Sequence, residues 1–163
     1  MNKFIKSLLS IYIFLTLCIC VSNAQTVKFP LQKGLINDYE GLFTPQQQKE
    51  LSLLISEFEK KTNREISIIT LNDIKPYSNL RDYSVDLSYN WSLGKDDRIN
   101  ELLIIVSKSL RTVRITTAYG TEKLIRDDVC KKIINNEMLP AYTSGNYFAG
   151  TKQGLLSIMQ EWN

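Results

Sequence analysis

Three places in this 163-residue sequence gather carboxylates where they can act on a ligand: Asp38 in LINDYEGLFTP, Asp96 and Asp97 in GKDDRIN, and Asp127 and Asp128 in LIRDD. Each falls where a regular element is expected to begin or end, and loops that converge on one edge of an open α/β sheet form a ready crevice. Carboxylates gathered there repel one another unless a cation neutralises them. Ligation by oxygen alone suits Ca²⁺, Mg²⁺ or Mn²⁺, and outside the cytoplasm even a weak calcium site is filled. Each residue also has a plainer role open to it. Asp38 can close an Asx-type turn into the following helix, Asp96-Asp97 can be a solvated turn, and Asp127 or Asp128 can cap a helix. GKDDRIN is not an EF-hand loop, because the glycine and the distant glutamate are missing.

The composition removes several chemistries. There is no histidine, which excludes Ser-His-Asp and Cys-His hydrolysis, phosphohistidine transfer and the usual His-bearing zinc sites. Glycines are too scattered for a phosphate loop, and neither a P-loop nor G-x-G-x-x-G occurs. Cys130 has Asn136 where a cysteine phosphatase requires arginine, so it reads as a small buried hydrophobe. Tyr83, Trp91 and Phe148 fit core stripes better than a ligand cage, and Tyr119-Gly120 reads as a turn.

The compartment is set by the first residues. Lys3 and Lys6 precede the apolar run from Ile11 to Val21, and Ser22-Asn23-Ala24 follows. This is the pattern of a secretory signal peptide cleaved after Ala24, and the run is short of the roughly 20 residues that a span needs. Removing the first 24 of 163 residues leaves 139 and lowers the formal charge from +3 to +1. The apparent basicity therefore belongs mostly to the leader. Neither a basic stripe nor an aromatic RNA-binding motif is present, so no nucleic acid partner is implied. Only Cys130 survives cleavage, which rules out a disulfide framework within the chain. The expected product is exported, periplasmic or extracellular, without a membrane span.

The elements that must position the acidic residues are legible in outline. Residues 25–34 have no sustained period and form an extended lead-in to a single domain over 35–162. Thr-Pro-Gln-Gln from Thr44 supplies an N-cap, a proline at the first helical position and a capping-box glutamine. Leu51, Leu54, Ile55 and Phe58 follow at helical spacing, which predicts a helix over 45–61, ended by Thr62-Asn63. EISIITL, 65–71, is a strand. Leu80, Tyr83, Leu87 and Trp91 predict a second helix, with Gly94 as its stop. LLIIV, 102–106, reads as a central strand covered on both faces, and 113–117 alternates and is too close to it for anything but an antiparallel hairpin. The helix between the strands at 65–71 and 102–106 favours a parallel, right-handed crossover. Two more helices follow, over 127–138, stopped by Pro140, and over 147–160. The sum is an α/β/α sandwich around a small mixed sheet.

The ordered blocks NDYEGLFTPQQQKEL, KKTNREISIITL, DYSVDLSYNWSLGKDDRINELLIIV, RTVRITTAYGTEKLIRDD and IINNEMLPAYTSGNYFAG resemble the TPM domain from about Leu35 to Gln160. The resemblance implies a compact α/β/α domain found in exported bacterial proteins and in the thylakoid lumen. Some members look like calcium binders with an acidic crevice, and a plant member has been described as an acid phosphatase. By this likeness Asp38 matches the family's Asp-Tyr block, Asp96 and Asn100 fall in its loop before the central strand, and Asp127 matches the acidic position after Tyr-Gly. Two departures stand out: Asn100-Glu101 where asparagine-glycine is common, and Arg126 where proline is common. Many relatives carry a C-terminal membrane segment, whereas this chain is expected to be a free-standing domain. The function so implied is a divalent-cation module, calcium first, that serves interaction or assembly with an envelope protein. The alternative is a metal-assisted acid phosphatase.

Overall fold

The computed structural model describes residues 27–93 and 100–163. The leader over 1–24 and Gly94, Asp96 and Asp97 lie outside the described residues.

The capping signal at Thr44 is realised in full. The Thr44 hydroxyl accepts the Gln47 N–H at 3.3 Å, and the Gln47 side chain accepts the Thr44 N–H at 2.8 Å. Helix α1 spans Pro45–Thr62, and Asn63 ends it in the left-handed region (φ 56) with its N–H on the Glu59 carbonyl. Between the helices run four strands, β1 (Ile36–Asp38), β2 (Glu65–Thr70), β3 (Glu101–Ser107) and β4 (Thr112–Thr117). Their order in the sheet is β1-β2-β3-β4, with β1-β2 and β2-β3 parallel and β3-β4 an antiparallel hairpin. Strand β1 was hidden in the sequence. Three residues are too few to show alternation, and the pairing partner of Asp38, Thr70, lies 32 positions away.

Strand periodicity divides the core in two. Ile66, Ile68, Leu102, Ile104 and Val106 point to one face, where they meet Leu51, Ile55 and Phe58 of α1 and the C-terminal helices. Ile69, Leu71, Leu103 and Ile105 point to the other, where they meet Tyr83, Leu87 and Trp91 of the helix α2 (Leu80–Asn90). All seven residues of β3 are buried, as a central strand covered on both sides requires. The result is the expected α/β/α layering. The connections β1-α1-β2 and β2-α2-β3 step in the same direction across the sheet but over opposite faces. They therefore have opposite hands, and one of them departs from the right-handed rule.

The lead-in is packed. The Trp91 indole donates to the Pro30 carbonyl at 2.8 Å, and Phe29 lies against Tyr77 and Tyr83. Buried Asn37 holds its exit: the Asn37 amide donates to the Gly34 carbonyl, and its oxygen accepts the Lys33 N–H at 2.7 Å.

After β4, Tyr119-Gly120 opens a one-turn helix α3 (Tyr119–Glu122) in place of the expected turn. Helix α4 (Asp127–Ile133) runs into a π segment, Ile134–Met138, and then into α5 (Leu139–Thr143). The expected stop at Pro140 is thus corrected. The Leu139 N–H reaches back five residues to the Ile134 carbonyl, and this wider turn resets the ladder so that the proline ring enters a fresh first turn, where its missing N–H costs nothing. Helix α6 (Tyr147–Glu161) closes the layer. It approaches the π segment so closely that a β-carbon at Gly150 would lie 2.7 Å from the Met138 carbonyl oxygen.

Two outcomes follow for stability. Gly150→Ala, which forces backbone apart, is expected to cost about 1–3 kcal/mol. Gly154→Ala meets only the flexible Met138 side chain and should cost less, as urea denaturation of the two variants will read. Burial pushes the Tyr83 phenol up to about 12, and the hydrogen bond to Asp86 does the same for Tyr77. Both groups titrate near pH 10 in an unfolded chain, so their contribution is intact below about pH 10 and is lost as pH rises toward 12. Denaturation midpoints followed across that window should fall in step with tyrosinate absorbance.

Candidate functional site

Asp38 ends β1 with its side chain on the α1 side of the sheet, and its carboxylate is fully engaged. One oxygen accepts the Leu42 N–H at 3.0 Å and the Thr70 hydroxyl; the other accepts the Phe43 N–H at 2.9 Å and the Gln48 side-chain amide at 3.3 Å. A carboxylate offers about four lone-pair positions, and all are taken. The Thr70 hydroxyl also accepts the Glu40 N–H at 2.9 Å. Asp38 and Thr70 together thus lock the turn over residues 39–43, in which Gly41 takes a positive φ of 66°. This is more than the Asx-type turn open to Asp38 from sequence, since it ties two strands to the start of α1.

The locked turn aims Glu40 across the sheet edge. Its carboxylate accepts the backbone N–H groups of Lys108 at 2.9 Å and Ser109 at 2.7 Å, in the loop between β3 and β4. The other donors of that loop are satisfied internally, Leu110 N–H on the Ser107 hydroxyl and Arg111 N–H on the Lys108 carbonyl. Beyond it opens a crevice of about 840 Å³, walled by the Glu40 turn, the hairpin loop and the stretch from Leu139 to Tyr147. Glu40 is the one acid among its lining residues, against Lys108 and Arg111. Tyr142 and Tyr147 stack with ring centroids 5.0 Å apart. Burial raises the Tyr142 phenol well beyond its ordinary range, so it adds no negative charge.

Asn100 and the acidic first turn of α4 lie toward the opposite edge. Asn100, immediately before β3, accepts the Glu65 N–H on its carbonyl, and Ala118 N–H and the Thr121 hydroxyl both reach the Glu101 carbonyl. From this edge α4 sets out, and the helical run ends at Thr143 beside the crevice. The register places Asp38 opposite Thr70 and Thr70 opposite Val106, so Asp38 and Asn100 are separated by the length of β3, about 20 Å. A calcium ion touches its ligands at about 2.3–2.6 Å. One ion therefore cannot join Asp38 to Asn100 or, at the same end of the domain, Asp127.

Asp127 and Asp128 are first-turn residues of α4; the N-cap position is Arg126, and no side chain caps the helix. Their charges still favour the N-terminal end of the dipole. Asp128 pairs with Arg126 at 3.2 Å, with both groups more than half exposed, an arrangement of little worth to stability. No group of three or more His, Cys, Asp or Glu side chains is placed to hold a metal among the described residues. Cys130 is buried, and burial pushes its thiol up to about 11, which agrees with a packing role.

The fold and its two edges define a small α/β/α domain with a four-stranded mixed sheet and ligand-sized space at the ends of the parallel strands. The chain belongs to the TPM domain family, which it matches over residues 36–161. It resembles the solution structure of the N-terminal domain of a P. gingivalis protein, at 29% identity and a TM-score of 0.72, covering 78% of this chain and 80% of that one. The BA42 protein of Bizionia argentinensis shares the fold at 21% identity and a TM-score of 0.66, over 77% of this chain and 88% of that one. So does an N-terminal domain from Corynebacterium glutamicum, at 14% identity and a TM-score of 0.62, over 84% of this chain and 86% of that one. No curated protein matches the chain significantly.

The role of Asp38 has a direct test. Asp38→Asn puts an amide N–H against one or more of the four donors, and is expected to cost about 1.5–3 kcal/mol in chemical denaturation. Thr70→Val removes one of those donors and also the acceptor for Glu40, so the double variant should cost less than the two single costs added.

Proposed function

We propose that this chain is an exported TPM-domain module that works by binding rather than by catalysis. It holds a divalent cation, calcium first and Mg²⁺ or Mn²⁺ second, at the sheet edge of Asn100 and the start of α4. Its work is interaction or assembly with a partner protein of the cell envelope. The observation that carries this reading is the saturation of Asp38. A metal-assisted phosphatase built on Asp38 would need that carboxylate to keep a free lone pair to hold the ion or orient the attacking water, and Asp38 has none to offer.

The cation reading draws on the gathering of Asn100, Asp127 and Asp128 toward one edge, with Asp96 and Asp97 four and three positions before Asn100 in the sequence. Calcium takes roughly six to eight oxygen ligands, so backbone carbonyls and water would complete the set. Export rests on the leader at residues 1–24. No helix among the described residues is long and apolar enough to cross a membrane.

Calorimetric titration of the mature chain with Ca²⁺, Mg²⁺ and Mn²⁺ tests the site. Binding should disappear in an Asp127→Asn, Asp128→Asn double variant and persist in folded Asp38→Asn. Silence at millimolar calcium, or binding indifferent to the double change, would remove the cation from the proposal. Phosphomonoester turnover that stays with the protein through purification and vanishes with Asp38→Asn would overturn the non-catalytic reading.

A further inference from the structure

The crevice at the Asp38 edge holds a pair of adjacent backbone N–H groups, on Lys108 and Ser109, directed at a single carboxylate, that of Glu40. Two successive amides converging on one anion form a concave anion-binding element of the kind that backbone nests provide. The occupant here is a side chain from the protein's own turn. It is partly exposed and joined to its backbone by flexible torsions, whereas the amides belong to the tight loop between two paired strands. Around them stand the Lys108 and Arg111 side chains, neither of which makes an ion pair among the described residues. The far wall is apolar, built from Leu139 and the stacked rings of Tyr142 and Tyr147.

We propose that this crevice is a binding site for an organic carboxylate with an apolar body, which takes the Lys108 and Ser109 amides by displacing Glu40. In the resting molecule Glu40 stands in for the ligand's own carboxylate. Displacement exchanges one carboxylate for another on the same two donors, and Glu40 moves into water. The gain lies in the two unmatched cations, which an incoming anion can meet, and in the rings, against which an apolar body can pack. The cavity, at about 840 Å³, is of the size that small organic ligands occupy. The site is distinct from the cation edge proposed above, about 20 Å away along β3.

The test uses ¹⁵N-labelled mature chain and three probes: 3-phenylpropionate, its neutral amide 3-phenylpropionamide, and phenyl phosphate. The carboxylate should shift the amide signals of Lys108, Ser109 and Arg111 in a saturable way, and the neutral amide should not. Glu40→Ala, which removes the internal competitor, should tighten binding about tenfold, the equivalent of recovering one charged hydrogen bond. Glu40→Gln retains an acceptor for the loop but not the charge and should fall between. It also provides the comparison if Glu40→Ala loosens the loop. Lys108→Ala with Arg111→Ala should abolish the shifts while leaving the spectrum of a folded domain. Absence of saturable shifts in both the native chain and the Glu40 variants would overturn the proposal. A response to phenyl phosphate alone would overturn its ligand class. Calcium binding measured on the same samples keeps the two edges separate, since neither outcome here alters it.

Discussion

Everything at one end of this domain hangs on a single carboxylate whose four acceptor positions are all used. Asp38 joins the end of β1 to the end of β2 through Thr70, to the turn through the Leu42 and Phe43 amides, and to α1 through Gln48. An edge strand of three residues is too short to hold itself in place by its ladder alone. The carboxylate supplies the missing constraint. Because the same Thr70 hydroxyl fixes the Glu40 amide, the position of Glu40, and through it the hairpin loop, inherits that order. A residue whose type suggests a metal ligand thus serves as a structural tie.

The second consequence is electrostatic. The two ends of β3 carry different chemistry: Lys108, Arg111 and Glu40 at one, Asn100 and the acidic first turn of α4 at the other. Charges about 20 Å apart, exposed to solvent, lie beyond the Debye length at physiological salt. They therefore act independently, and a ligand at one end does not alter the charge felt at the other. A small domain with a fully buried central strand can in this way present two surfaces of unlike preference without conflict.

Much of the frame was legible because its signals are local. The Thr44 capping box, the i, i+3, i+4 stripe of α1, the unbroken LLIIV of β3 and the alternation of β4 each sit within one short window. What escaped depends on distance or on a break in the period. Strand β1 is defined only by its pairing with Ile68 and Thr70. The acceptor set of Asp38 draws on a residue 32 positions away, and the Glu40 contact spans 68. Pro140 read as a stop because no local rule announces a π turn before it. Glu40 and Arg111 carried no spacing that could have marked them, and only the meeting of the β1 turn with the hairpin gives them a shared role.

The π segment has a meaning that reaches past its own geometry. A wide turn of this kind amounts to one surplus residue in an otherwise α-helical run. Each residue of a helix turns the face by about 100°, so that surplus decides which side chains beyond it look toward the hairpin loop. Without it, the helix would persist and its core contacts before Ile134 would be unchanged. Leu139 and Tyr142 would rotate off the crevice, and the space beside Glu40 would lose its far wall. The far wall of the crevice is therefore set by the one-residue surplus in the helical run as much as by the side chains at its rim.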